Sequence, residues 1–235
     1  MLKGHESIVS DVGFSPDSHS LVSASFDRSV RIWKIRDGSS KVLPVTSSPV
    51  SFFSVLFSPD GRYIAAGNYD KSLRIWDSRT HRLVAEWRGH TGCVWCTVFT
   101  PDGKGLMSGS DDGTVKWWDV SLLGNRNDEK DFPLVRSFLG HGVRLILLSS
   151  HVDREPFVTQ GSVFSIAFFP DNAQWMATGS IDESVRVWDT ESGACQLTLE
   201  GHKDWVRRVD ISRTQNLLAT TGHDGHVTVW KYNQL

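Results

Sequence analysis

The chain has 235 residues, 39% apolar and 22% charged, with a formal net charge of −2 at pH 7. That is an ordinary soluble balance, long enough for one large domain, and it supplies no global pull toward nucleic acid or an anionic membrane. No stretch approaches the ~20 apolar residues of a membrane span, Met1-Leu2-Lys3-Gly4-His5 starts no signal-type apolar run, and Cys93, Cys96 and Cys195 are too few for a disulfide framework. A reducing interior, nucleus or cytoplasm, is the expected setting.

In chain order the predicted elements follow one pattern. The first unit opens on alternating apolar positions Val9, Val12 and Phe14, turns at Ser15-Pro16-Asp17, and ends a later strand in Val30-Arg31-Ile32-Trp33. The second has Phe52, Val55 and Phe57, the turn Ser58-Pro59-Asp60-Gly61, a strand at Tyr63–Ala66, the segment Leu73-Arg74-Ile75-Trp76-Asp77 and an outermost strand at Leu83–Trp87. The third carries Thr100-Pro101-Asp102-Gly103, Val115-Lys116-Trp117-Trp118-Asp119 and Leu134–Phe138. The fourth carries Phe169-Pro170-Asp171-Asn172, Val185-Arg186-Val187-Trp188-Asp189 and Cys195–Leu199, and the fifth ends in Val227-Thr228-Val229-Trp230.

Spacing makes these units one repeat. The five tryptophans lie 43, 42, 70 and 42 residues apart, and Asp27, Asp70, Asp112, Asp182 and Asp224 each stand six residues before one. His5, His90 and His202, each after a glycine, stand 28 residues before theirs. Four short antiparallel strands every 42 or so residues make a propeller blade. The units resemble WD40 repeats, so the fold class is all-β, a WD40 β-propeller of five four-stranded blades at about 4–46, 47–89, 90–140, 141–201 and 202–235. The chain is read as a single propeller domain.

The resemblance implies a hydrogen-bonded network in each blade, built from His, the turn Asp, a strand hydroxyl and the Trp indole. Its members would be His5, Asp27 and Trp33; Asp70 and Trp76; His90, Asp112 and Trp118; His141, Asp182 and Trp188; and His202, Asp224 and Trp230. The hydroxyl comes either from the column Ser23, Ser108, Thr178, Thr220 or from Ser25, Ser110, Ser180. Ser47-Ser48-Pro49 stands where the second unit would carry its histidine, so that blade is expected to be the least rigid.

His, Asp and Ser also make a hydrolytic triad, but a triad needs one activated nucleophile in one pocket, whereas this set recurs with a Trp each time. Cys93 and Cys96 have the spacing of a redox or zinc pair, yet no second pair accompanies them and both fall in one strand. No glycine-rich phosphate loop appears. Neither catalysis, a metal nor a cofactor is called for. Arg207-Arg208, the one adjacent pair of arginines, reads as a solvated strand end.

The pattern breaks twice. Within the 70-residue interval, Ser121–Asp131 reads as a polar surface loop, and Val143–Gln160 matches no part of any repeat. Deleting those 18 residues joins Gly142 to Gly161 in register with Gly89-His90-Thr91-Gly92. The segment is in frame, Val143-Arg144 codons can carry a splice donor and Gln160 an acceptor, so a retained intron is expected; a functional rim loop is the alternative. At the other break, Leu2-Lys3-Gly4-His5 reads as the tail of an outermost strand, and the expectation is the C-terminal part of an incomplete seven-bladed ring.

Gly61-Arg62-Tyr63-Ile64-Ala65-Ala66-Gly67, Val84-Ala85-Glu86-Trp87, the polar insertion after Trp118-Asp119 and Val229-Trp230-Lys231-Tyr232 resemble the Tup-type, Groucho-related general transcriptional corepressors of fungi. The resemblance covers the last five of that family's seven blades. It implies a nuclear, non-catalytic scaffold recruited by DNA-bound repressors, with no direct contact to nucleic acid or membrane. A WD40 adaptor of another complex, such as substrate recognition for ubiquitin ligation, is the alternative.

In such propellers, partners dock on the face that carries the Gly-His loops and the Asp turns. The residues expected there are Phe26, Tyr69, Ile181 and His223, just before each Asp, with Phe53, Trp95, Phe164, Trp205 and Arg207 from the opening strands. Large aromatics and Arg are the types enriched at binding hot spots. A peptide or short helical segment of a transcription regulator is the expected ligand.

Overall fold

A computed structural model describes the chain except for residues 46–49, 124–132, 146–157, 171–173 and 233–235. Its strands are β1 (Val9–Phe14), β2 (Ser20–Ser25), β3 (Val30–Lys34), β4 (Ser40–Val42), β5 (Phe52–Phe57), β6 (Tyr63–Asn68), β7 (Ser72–Asp77), β8 (Leu83–Arg88), β9 (Val94–Phe99), β10 (Gly105–Ser110) and β11 (Thr114–Asp119). They continue with β12 (Leu134–Leu139), β13 (Val143–Leu145), β14 (Val158–Gln160), β15 (Val163–Phe168), β16 (Trp175–Ser180), β17 (Ser184–Asp189), β18 (Cys195–Glu200), β19 (Val206–Ile211), β20 (Leu217–Gly222) and β21 (Val227–Lys231). One 3₁₀ turn, Val120–Leu122, is the only helical element among the described residues.

Each repeat forms one antiparallel sheet in chain order: β1 to β4, β5 to β8, β9 to β12 and β15 to β18 are four-stranded. The fifth, β19 to β21, has three strands among the described residues. The chain divides into two compact units, Met1–Ser108 with Lys116–Val135, and Gly109–Val115 with Arg136–Leu235.

Sequence chemistry explains each corner. At the first turn of blade two the Ser58 hydroxyl donates to Asp60 (2.5 Å), Asp60 accepts the Arg62 N–H (2.9 Å), and Gly61 takes φ +72°. A residue with a side chain would be strained at that angle. At the second turn, Asp27, Asp70, Asp112, Asp182 and Asp224 each accept a backbone N–H two residues on. That Asx geometry holds the intervening residue left-handed, glycine at Gly113 and Gly225 but Arg28, Lys71 and Glu183 in the other blades.

Neighbouring sheets pack the opening strand of one blade onto the face of the blade before. In unit one, Phe52, Val55 and Phe57 are buried with Val22, Ala24 and Val30. Val94 and Phe99 likewise join Tyr63, Ala65, Leu73 and Ile75. In unit two, Val206, Val209 and Ile211 cover Ala177, Val185 and Val187. Burying each such aliphatic side chain contributes about 1.5–3 kcal/mol. Polar bonds fix the register: the Val55 N–H donates to Asp11 (2.9 Å), and the Val209 N–H to the Ser165 hydroxyl (3.1 Å).

The odd segment 143–160 begins and ends as a two-stranded ribbon. β13 pairs antiparallel with β14, Val143 opposite Gln160. Gly161 lies against the backbone of His141 and Gly142 so closely that a Cβ would have no room. The two ends of the insert are therefore neighbours, and the blade resumes where it was interrupted. The remainder of the segment, and the polar loop beyond Leu123, lie outside the described residues.

Candidate functional site

Two sets of recurring residues bear on function: the buried network and the face above it. In blade one His5 Nδ1 is 2.7 Å from Asp27, its Nε2 is 2.6 Å from Ser23, and the Trp33 indole donates to the same hydroxyl at 2.8 Å. Blade four repeats this with His141, Asp182, Thr178 and Trp188 at 2.9, 2.7 and 2.8 Å, and blade five with His202, Asp224, Thr220 and Trp230. In blade three His90 and Trp118 converge on Ser108. The hydroxyl therefore comes from the column Ser23, Ser108, Thr178 and Thr220. Ser25 and Ser180 instead donate to the carbonyls of Ile8 and Gly161.

The bonding pattern assigns the protons. An indole N–H can only donate, so the hydroxyl accepts from Trp and gives its own hydrogen to His Nε2; Nδ1–H then donates to the carboxylate. This is a Ser–His–Asp relay in geometry, but Ser23 is 2% exposed and both functions of its hydroxyl are occupied. No substrate atom can reach it.

Charge follows the same logic. Burial works to raise Asp182, but hydrogen bonds from His141, Ser184 and the Gly142 N–H outweigh it and hold the carboxyl well below the usual range. Asp27 is likewise held low, against burial, by Ser29, His5 and the Glu6 N–H. At Asp224 the Lys203 N–H leads in lowering it. Burial pulls the His141 imidazole down, with Asp182 opposing.

Blade two is wired differently. Arg74, wholly buried, donates to Asp70 at 2.7 Å, lies 3.4 Å from Glu86, and sits over the Phe52 ring. Ala66 occupies the hydroxyl column, and the Trp76 indole turns to the Pro44 carbonyl at 2.7 Å. In this blade the guanidinium takes the histidine's place at the aspartate; Ser47-Ser48-Pro49 lie outside the described residues.

The face above is built by bulges. The pairing register of β1, β5, β15 and β19 slips by one residue between Val9 and Asp11, Phe52 and Ser54, Val163 and Ser165, and Val206 and Arg208. The residue left out of the ladder is Ser10, Phe53, Phe164 or Arg207, and a bulge re-aims such a side chain. Phe52 and Ser54 are both buried while Phe53 between them is half-exposed. The second column is fastened alongside: the N–H groups of Phe26, Tyr69 and His223 donate to the carbonyls of Ile8, Ser51 and Trp205.

In unit one, Phe53 stacks on Trp95 at 4.1 Å, with Phe26 edge-on at 5.6 Å and Tyr69 tilted at 6.3 Å. Tyr69 and Phe26 are exposed, and Arg28 and Lys71, both exposed, follow them on the same turns. Each cation stands two residues after its aromatic, a spacing that the sequence alone carries. In unit two, Trp205 stacks on His223 at 5.2 Å, Phe164 lies 6.1 Å from Trp205, and the Arg207 guanidinium sits 4.5 Å over Phe164. Ile181 departs from the expectation. An aliphatic side chain gains nothing from water, and this one is 4% exposed and offers no surface to a partner.

Cys93 and Cys96 lie half-buried in the third blade. Among the described residues no three His, Cys, Asp or Glu side chains converge as metal ligands, and no helix is long and apolar enough to cross a membrane.

A family model described as WD domain, G-beta repeat matches residues 1–34, 39–77, 81–119, 133–189 and 193–231. The chain is similar to Nuclear distribution protein PAC1 of Ajellomyces capsulatus (strain H143), with 31% identity over 99% of this chain and 50% of that protein. It is also similar to Coronin-7 of Mus musculus, 39% identical over 29% of this chain and 8% of that protein. DDB1- and CUL4-associated factor 10 of Xenopus laevis is 35% identical over 37% of this chain and 19% of its own length. The chain thus spans half or less of these relatives. Those names point to several WD proteins, and the corepressor resemblance is not singled out among them.

Proposed function

The chain belongs to the WD domain, G-beta repeat family, and on that premise we propose that it is a non-catalytic platform that grips peptide segments of other proteins on the faces carrying Phe53 and Trp205. One observation carries this: unit one and unit two each aim bulge residues and turn residues into an accessible aromatic cluster flanked by cations. Aromatic rings with a nearby guanidinium or ammonium suit a segment with apolar and acidic side chains. Proteins of this family generally serve as such scaffolds, and the hydroxyls of the His–Asp networks are sealed from substrate.

The finer reading is a transcriptional corepressor module, working in the nucleus on segments of DNA-bound regulators. It is supported by the sequence resemblance at Gly61–Gly67, Val84–Trp87 and Val229–Tyr232. A second reading, an adaptor for ubiquitin ligation, is favoured by the similarity to DDB1- and CUL4-associated factor 10. Affinity purification of the chain from nuclear extract, with bound proteins identified by mass spectrometry, separates them: repressors among the captured proteins support the first, and ligase components alone support the second. Tyr69→Ala and Trp205→Ala should each weaken the captured partner about tenfold or more, as truncating a hot spot does, with an unchanged circular dichroism spectrum. Undiminished affinity in both variants would remove these faces from the function.

A further inference from the structure

Two tight turns of unit one carry a backbone strain that the turn itself does not require. The residue after each turn aspartate is left-handed in all five blades, with φ between +70° and +78°. Glycine adopts that conformation without a clash, as Gly113 and Gly225 do, whereas Arg28 and Lys71 (both +71°) and Glu183 (+70°) hold it with a side chain. Arginine, lysine, glutamate and glycine all follow the aspartate, so the turn does not call for a cation. Strain of this kind gathers where a side chain is needed for a ligand.

Arg28 and Lys71 border one place. Phe26 and Tyr69, each two residues before its cation, lean on Phe53 at 5.6 and 6.3 Å, and Trp95 from blade three stacks on the same ring at 4.1 Å. Both cations are exposed, and among the described residues neither makes an ion pair. The carboxylates of their own turns are engaged elsewhere: Asp27 with His5 at 2.7 Å, and Asp70 with Arg74 at 2.7 Å and Arg88 at 3.5 Å. Glu6, whose N–H binds Asp27, adds one negative charge on the neighbouring Gly-His loop, so the cations remain in excess. In unit two the same strained position carries Glu183, of opposite sign.

We propose that the unit-one face selects an extended protein segment in which an apolar side chain has Asp or Glu on both sides, the apolar anchor lying on Phe53 and Tyr69 and the carboxylates on Arg28 and Lys71. This rests on the reading of that face as a docking platform and adds the sign of charge that it accepts. Through Phe53 the Phe26 and Tyr69 rings are at most about 12 Å apart, which an extended chain spans in about three or four residues. Charges at the edge of an interface act on partner choice more than on raw affinity. Nucleic acid fits this face less well, because Phe53 is already stacked on Trp95 and the chain's net charge is −2.

Fluorescence anisotropy of the 235-residue chain with short labelled peptides tests this, each peptide carrying a central Phe with Asp, Asn or Lys on both sides. The Asp peptide should bind about five- to tenfold more tightly than its Asn isostere, and the Lys peptide more weakly than either. Arg28→Glu/Lys71→Glu should reverse that order, and Glu183 shows that such a turn accommodates glutamate. Arg28→Gly/Lys71→Gly should level the order and, by relieving strain, raise the melting temperature by about 2–4 °C. Asp and Asn peptides bound alike, or an order that charge reversal leaves unchanged, would overturn the proposal; if Phe53→Ala still weakened every peptide, the platform reading would stand without it. No binding by any of the peptides would overturn both. A thymidine oligonucleotide bound more tightly than the Asp peptide would overturn the choice of a protein segment.

Discussion

At the residue scale the network hydroxyl is the junction on which each blade turns. Thr178 serves one buried donor and one buried acceptor at once, so Thr178→Val strands His141 Nε2 and the Trp188 indole without changing shape. A cost of about 1–3 kcal/mol is expected, read as a lower urea midpoint. Adding Trp188→Phe should cost less than the sum of the single changes, because the indole no longer needs a partner.

The same residues set the response to acid. His141 has its pKa lowered below 6.5 by burial, so folding favours the neutral ring; its contribution is complete above that value and fades as pH falls through and below it. Asp182 is lowered below 3.8, so its contribution is complete above that value and is lost only at lower pH. Both signs make the protein weaker in acid, in two stages. Unfolding midpoints measured between pH 8 and 3 should begin to fall near neutrality and fall again below about pH 4. His141→Gln should flatten the first stage and only weaken the second, since Ser184 and the Gly142 N–H still hold the Asp182 carboxyl down. A midpoint that rises on acidification would contradict the assigned proton positions.

At the scale of the element, blade two shows how a repeat survives loss of its histidine. The buried Arg74 reaches Asp70 and Glu86 from one rigid fork. Arg74→Met removes the buried side of that pairing, while the exposed Arg88 still reaches Asp70 at 3.5 Å and Glu86 at 2.6 Å, so the expected loss is about 1–3 kcal/mol. Arg74→Lys should recover only part, as an ammonium lacks the fork. Thermal denaturation of the two variants measures both.

The insert is an element of the opposite kind. Its strands β13 and β14 leave Gly142 and Gly161 adjacent, and the Gly142 N–H still donates to Asp182 as Glu6 and Lys203 do in their blades. Deleting residues 143–160 should therefore leave the melting temperature unchanged or higher, since a shorter connection closes at less entropic cost. A large fall would show that the segment supports the blade. Sequencing the mature transcript decides separately whether the codons are retained.

On the scale of the whole molecule, stability is built from blade-to-blade contacts, as in other repeat arrays. Ending the chain at Gly201 uncovers Ala177, Val185 and Val187 in unit two, which Val206, Val209 and Ile211 otherwise cover. The expected outcome is a destabilised blade four, with faster amide exchange in β16 and β17 and unchanged exchange in β5 to β7. Uniform protection across β16 and β17 after truncation would show that blade four holds itself together.

Much of this was legible in the sequence because it depends on local chemistry repeated five times. The spacing of Trp33, Trp76, Trp118, Trp188 and Trp230, the turn aspartates and the alternating apolar positions specify strands and sheets, since alternation and Asx turns act over a few residues. The hydroxyl column was not legible: Ser23 and Ser25 lie two residues apart on one strand, and only the position of the Trp33 ring selects Ser23. Nor was Arg74 as the partner of Asp70, which required its side chain to be buried beneath Phe52, or the bulges that turn Phe53 and Arg207 toward a partner. The burial of Ile181 was not legible either, because a position next to an Asp turn says nothing of what covers it. Periodicity and turn chemistry are properties of neighbouring residues and so are readable from order alone; which side chain meets which across 20 to 40 residues is decided only when sheets pack.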